Sequence, residues 1–171
     1  MREALEPPTA RVVPVADTRA PAAQFAVYSE RLEYDTEQAM QFIDITEDVR
    51  GILERSGVTA GTVSVVSTHT TAAVILNEHE PLLLNDMARV LSRLVPEGDY
   101  YEHNDFSIRT VNMHEDEPAN GHSHCQHLFL GTSETIPVLE GRPQLGTYQS
   151  VFLIELDHPR VREVLVTVVG V

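Results

Sequence analysis

Three histidines fall within six residues in the run Asn120-Gly121-His122-Ser123-His124-Cys125-Gln126-His127. A Gly131-Thr132-Ser133 turn and the cation Arg142 follow. Two polar groups precede them: Ser67-Thr68-His69-Thr70-Thr71, leading to Asn77-Glu78, and His103-Asn104-Asp105. Neutral imidazoles beside carboxylates suit Zn²⁺, Ni²⁺ or Mn²⁺. A hydroxyl-bearing turn next to glycine can cradle phosphate through backbone N–H groups. The expectation is that these groups meet in one pocket holding a divalent metal ion, a phosphorylated ligand or both.

Local structure decides which imidazoles can share a metal. His122 and His124 would share the face of a strand but point apart on a helix. His124 and His127, three apart, are neighbours on a helix. A helical reading favours His124 with His127, or His124 with His122 at its N-terminal edge, and His69 would come from a strand. Glu78, at the end of an apolar strand, reads as a ligand, a general base or a polar strand end. Each of these residues also has an ordinary structural use, as a surface histidine, a cap or a turn. From Glu102 to Glu117 five acids stand against Arg109 alone. That balance would repel an anion unless a metal or an arginine such as Arg142 stood beside it. Cys125 is expected to pack inward with Leu128 and Phe129. No nucleophile elbow, phosphate loop or dinucleotide fingerprint is present.

The elements that must position these residues follow from periodicity. Gln24 to Tyr34 alternates as a strand, and Gln41 to Ile45 reads as the next. Thr46 is placed to cap a helix carrying Val49, Ile52 and Leu53 on one face, with Gly57 as its left-handed end. Gly61 to Leu76 is strand, open to a break at 68–71. Pro81 starts a helix whose apolar stripe runs Leu83, Leu84, Met87, Val90, Leu91, Leu94, and Pro96 stops it. Residues 99–119 read as loop. Asn120 is placed to cap a short helix over 121–130. Strands follow at 135–139, 151–156 and 164–169. This order predicts an α+β fold of largely antiparallel sheets packed as a sandwich with two to three helices. Residues 1–22, interrupted by Pro7, Pro8, Pro14 and Pro21, read as a flexible tail before a single domain over 23–171.

At 171 residues the chain can bury a sizeable core. Its net charge of −14, with no lysine among twelve basic residues, argues against nucleic acid and against an anionic membrane surface. No apolar run is long enough to span a bilayer. The single cysteine fits a reducing compartment, and a cytoplasmic protein is expected.

Taken together, His69-Thr70-Thr71-Ala72-Ala73 with Asn77-Glu78, His103 with Asp105, Asn120-Gly121-His122-Ser123-His124, Leu130-Gly131-Thr132-Ser133 with Pro137, Gly141-Arg142, and Leu145-Gly146-Thr147-Tyr148-Gln149 resemble the YjbQ-like family, also called UPF0047. The resemblance runs from about Phe25 to Val171. It implies a compact α+β trimer with its polar cluster near subunit boundaries. It also implies a secondary thiamine-phosphate synthase, which joins a pyrimidine pyrophosphate to a thiazole phosphate and releases pyrophosphate. Carried over, His69, Glu78 and His124 would be the chemical centre, with His69, His122 and His124 holding a divalent metal (Zn, Mg or Mn). Thr70, Thr71, Asn77, His103, Asp105, Asn120, Gly131, Thr132, Ser133, Arg142 and Gln149 would bind the phosphorylated ligand. Gln126 stands where the family usually has a basic residue, and Tyr148 where it more often has Trp. A non-catalytic trimer that binds metal or small ligand, and a metal-dependent hydrolase, are the alternatives.

Overall fold

The computed structural model describes residues 24–171; the tail read at 1–22 lies outside the described residues. Two antiparallel sheets carry the fold. In the larger, β1 (Ala26–Asp35), β8 (Val161–Gly170), β3 (Ala60–Ser67), β5 (Ser133–Leu139) and the two-residue β6 (Arg142–Pro143) lie side by side in that order. In the smaller, β7 (Gln149–Glu155) runs between β2 (Gln41–Asp44) and β4 (Ala72–Glu78). Three helices complete it: α1 (Thr46–Ser56), α2 (Pro81–Leu94) and α3 (Gly121–His127). This is the expected α+β sandwich.

Sequence alternation sets which face is inside. Along β8, Val164, Val166 and Val168 are fully buried while the residues between them are only half-covered. They meet Val63 and Val65 of β3, Ile136 and Val138 of β5, and the inner face of α1 at Val49, Ile52 and Leu53. Val151 and Leu153 close this core from the smaller sheet. The other face of β7, Phe152 and Ile154, packs with Leu91 of α2 in a second core. Strand β7 is therefore covered on both sides, which is why its sequence reads as a continuous apolar run and not an alternating one.

Where β3 meets β8 the strands approach too closely for side chains. Gly61 lies opposite Gly170. A Cβ on Gly61 would fall 2.0 Å from the Val169 carbonyl oxygen, and one on Gly170 would fall 2.2 Å from that of Ala60.

Several local expectations change. Thr46 is the first residue of α1, not its cap. Its hydroxyl instead receives the Val151 N–H at 2.9 Å and lies against Asp44, tying the helix start to β7. Glu80 caps α2 by accepting from Leu82 and Leu83 N–H at 2.9 and 2.8 Å. Of the α2 stripe only Leu91 is buried, and Val90 and Leu94 stay exposed beside an apolar cleft. Leu128 and Phe129 are exposed, so they do not pack with Cys125.

The two sheets are joined by a buried ion pair that sequence reading missed. Arg162, at the start of β8, donates through Nε to Glu155 Oε2 at 2.6 Å and through Nη2 to Oε1. Arg162 Nη2 also donates to Thr71 Oγ1 at 3.0 Å, and Thr36 donates to Glu155 at 2.8 Å. Removing one partner of such a pair strands a buried charge and costs about 3–5 kcal/mol, whereas replacing both with apolar groups of similar volume costs much less. Arg162→Met should therefore lower unfolding free energy in urea by roughly 3 kcal/mol. Adding Glu155→Leu should restore part of that loss, and a double variant no more stable than Arg162→Met would contradict this account.

Candidate functional site

A cavity of about 490 Å³ opens where the β3–β4 loop, α3, the 99–119 loop and the start of β8 converge. Thr68, His69, Thr70 and Thr71 form one wall, and Asn120 and His124 the second. His103, Arg109, Asn112, His114 and Glu117 come from the long loop, and Arg160 and Arg162 from β8 and the turn before it.

Each wall is fixed by the local fold. The β3–β4 loop is held to β8: Thr68 N–H donates to Glu163 O at 3.4 Å, and Glu163 N–H donates to His69 Nε2 at 2.8 Å. Arg162 holds the far end of the loop at Thr71. Helix α3 starts at Gly121, whose N–H is received by Asn104 Oδ1 at 2.8 Å. A Cβ there would fall 2.7 Å from that of Tyr101, so glycine lets the long loop lie against the helix. Asn120 is not the side-chain cap expected of it. Its Nδ2 donates to buried Asp157 at 2.8 Å, and its Oδ1 is buried without a partner among the described residues. Ser123 anchors the inner face of the helix by donating to Leu156 O at 2.7 Å.

His124 then faces the cavity against His103, with ring centroids 4.7 Å apart and an edge-on angle of 65°. Nε2 of His103 is also buried without a partner among the described residues. Burial pulls the His124 pKa below the ordinary imidazole value, and the neighbouring His103 adds to that, while Asp157 opposes it. Burial and then Arg162 do the same to His69. Both rings are therefore biased to the neutral form.

The expected convergence is met in part. His69, Thr70, Thr71, His103, Asn120 and His124 share the cavity. Glu78 does not: it lies at the opposite end of β4 from Thr71, roughly 20 Å away at about 3.3 Å per residue. It lines a separate pocket with Gln149, Tyr148 and an Asp44–His79 pair joined at 2.7 Å. Gln149 Oε1 is occupied by Gly146 N–H at 2.7 Å. Asn77 turns under α2 and donates to Met87 Sδ at 3.1 Å. Asp105 folds its own loop, accepting from Ser107 N–H at 3.0 Å and from the Ser107 hydroxyl at 2.5 Å. Gly131, Thr132 and Ser133 are exposed. Two of their carbonyls accept from Val74 and Ser67, and the turn is not part of the cavity wall. Arg142 lines another cleft beside Arg50 and Glu54. Residues near one another in sequence separate because strands β4 and β7 carry their two ends to opposite sides of the molecule.

The proposed metal triad is also not assembled. His122 is 5% exposed on the inner side of α3, with Nε2 3.2 Å from Ser123 Oγ, and is absent from the cavity wall. Among the described residues no three His, Cys, Asp or Glu side chains are grouped to hold a metal ion. The residues present do not fit a His69–His122–His124 metal centre.

Four wall residues escaped the sequence reading. Arg162 is in phase with Val164, Val166 and Val168, so strand alternation alone places it inward, and a buried arginine signals a partner. Arg160, His114 and Asn112 carried no comparable signal. The acidic loop proves harmless to an anion. Glu117 is paired with Arg109 at 3.0 Å, and Glu102, Glu115 and Asp116 are exposed outside the cavity.

An α+β double sheet with a histidine-, arginine- and threonine-walled cavity beside its β3–β4 loop is the class of protein these features define. Residues 30–171 match the model of the UPF0047 protein YjbQ-like family, and the chain belongs to that family. A UPF0047 protein of Methanothermobacter thermautotrophicus is 40% identical over 84% of this chain and 93% of its own length. One from Synechocystis sp. is 36% identical over 87% and 96%. Among solved structures, a YbjQ-like protein of unknown function from Sulfolobus solfataricus superposes with a TM-score of 0.78 at 32% identity, covering 86% of this chain and all of that one. A hypothetical protein from Aeropyrum pernix gives 0.73 at 33% identity, covering 84% and 98%.

The depressed histidines make a stability prediction. His69, His124 and His127 are each held by burial below the imidazole value of 6.5. Near that pH the unfolded chain takes up protons that the folded chain resists. Their stabilising effect is whole above about pH 7.5 and declines as pH falls through 6.5. Urea midpoints should drop from pH 7.5 to 5.5, and the drop should be shallower in His124→Gln. Identical pH slopes for the two proteins would remove His124 from the explanation.

Proposed function

We propose that this cavity binds a small phosphorylated molecule and that His124, braced by His103, moves a proton on it. One observation carries the reading: in a chain of net charge −14, this wall gathers three arginines and four histidines against Glu117 as its one carboxylate. The hydroxyls of Thr68 and Thr70, both exposed at the rim, add neutral donors suited to phosphate oxygens. A neutral imidazole near its working pH can take up or return a proton within one turnover.

The reaction class we propose is that of a secondary thiamine-phosphate synthase. Negative charge would build on the departing pyrophosphate oxygen, and arginines aimed at it would lower that cost. The chemical centre then shifts from His69, Glu78 and His124 to His124 and His103, with Arg160 as the least committed cation. Arg160 is 39% exposed and donates to Asp157 at 2.9 Å. A divalent cation enters this reading only as a companion of the ligand's phosphates, with Glu117 the one carboxylate at hand. A homotrimer is the proposed assembly, because the exposed Val90, Leu94, Leu128 and Phe129 leave apolar surface around the α2 cleft. Light scattering should give a mass near three times 19.0 kDa, and a monomer would remove the trimer. A binding protein without catalysis is the second reading, favoured by the placement of Glu78 outside the cavity.

Calorimetric titration with inorganic pyrophosphate tests the site. Binding should weaken about ten-fold in Arg160→Ala, the loss expected for one charge-assisted contact. Arg142→Ala, in a different cleft, should bind as wild type does; the reverse ranking would place the anion at Arg142. In a thiamine-phosphate synthase assay, His124→Ala should lose at least about 100-fold in turnover. Glu78→Ala should stay within about three-fold of wild type, since a substitution in a separate pocket away from the site changes little. Pyrophosphate binding with no turnover in any protein would select the binding reading.

A further inference from the structure

We infer that His69 serves the ligand as a neutral hydrogen-bond donor, offering Nδ1–H to an anionic oxygen, and is neither a metal ligand nor a proton acceptor. The inference rests on the phosphorylated-ligand reading for the identity of the acceptor, but the state of the ring does not.

The argument begins with Glu163. Its backbone N–H points at His69 Nε2 over 2.8 Å. A backbone amide always carries its hydrogen, so the ring nitrogen facing it must supply the lone pair. A neutral imidazole has one N–H, which is then at Nδ1. Nδ1 makes no hydrogen bond among the described residues, and His69 lines the cavity beside Thr68 and Thr70. The free donor therefore belongs to the side chain that meets a ligand.

The same bond closes the other two roles. A metal binds an imidazole through a lone pair. With Nε2 already accepting, coordination at Nδ1 would require loss of the ring's one N–H proton. Accepting a proton at Nε2 would set two N–H groups against each other across 2.8 Å. The clamp is built to last. Glu163 also receives the Thr68 N–H on its carbonyl at 3.4 Å, so the loop is held to β8 by neighbouring contacts. Glu163 itself follows Arg162, which is anchored to Glu155 and Thr71.

The charges around the ring agree. Arg162 and Arg160 oppose a proton on His69, Glu163 and Glu155 favour one, and burial outweighs them all in keeping the ring neutral. Across the cavity stand His103, His114, His124, Arg109 and Glu117. The ligand class this donor fits is a phosphate or another tetrahedral oxyanion, bound at the β3–β4 loop.

Nitrogen-15 NMR of the histidine rings in the full chain tests this, with His69→Gln identifying the His69 signals. The expected spectrum at pH 7 to 8 has a protonated Nδ1 and a lone-pair Nε2. A proton on Nε2, or a doubly protonated ring at pH 7, would overturn the inference. Inorganic phosphate should then shift the Nδ1 resonance. Binding of phosphate elsewhere, with Nδ1 unmoved, would end the donor role and leave the anion site standing. No phosphate binding at all would end the anion site and the donor role, while the tautomer would still stand on its own spectrum. Zn²⁺ that shifts both His69 nitrogens at one equivalent would restore the metal reading and overturn this one.

Discussion

The buried contact between Arg162 and Glu155 is the constraint on which the rest of the molecule depends. The arginine starts a strand of the larger sheet, and the glutamate ends the central strand of the smaller one. Neither charge could stay in the interior alone, because transfer from water costs several kcal/mol per ion unless each finds partners. Both find them in the fold itself: the Thr71 backbone and hydroxyl, Thr36, and the Asp157 N–H, which donates to Glu155 at 2.9 Å. The pair therefore fixes how the two sheets meet. It also fixes the loop that presents His69 and Thr70, so the geometry of the cavity is inherited from a structural ion pair.

That inheritance explains how so acidic a chain can hold a cavity suited to anions. Arg109, Arg160 and Arg162 are each matched by a carboxylate behind or beside them. The pairing keeps the guanidinium groups in place before any ligand arrives, which reduces the side-chain ordering that binding would otherwise require. It also lowers their net pull on an anion. What remains for recognition is a set of oriented donors, with neutral imidazoles as the adjustable element.

Much of the architecture was legible in the sequence because periodicity is a local signal. The alternation of β1 and β8, the apolar run of β7, the glycine ending α1 with φ 68° and the proline opening α2 all gave the right element. The site was legible only as a parts list. His69, His103, Asn120 and His124 do meet, but Glu78, Gln149, Arg142 and the Gly131 turn lie elsewhere. Nothing in residue spacing states which end of a strand faces which loop, so motifs at the two ends of β4 looked like one group. Arg162 was readable from its phase in β8. Arg160, in a turn, carried no period to betray it. Thr46 and Asn120 were typical cap residues whose side chains were claimed by tertiary partners, the Val151 N–H and Asp157, and that competition is invisible to local rules.

Strand order has a consequence for how the molecule is made. The strand inserted between β1 and β3 is β8, the last of the eight. Early and late segments must therefore find each other across most of the sequence, a search that lengthens with the loop to be closed. Until β8 arrives, β1 and β3 stand as two open, valine-bearing borders with a strand-wide gap between them. Such borders are templates for foreign strands. Crowded synthesis is thus the circumstance in which this fold is most exposed to mispairing, and the opposed Gly61 and Gly170 admit only a strand with bare backbone at the same place.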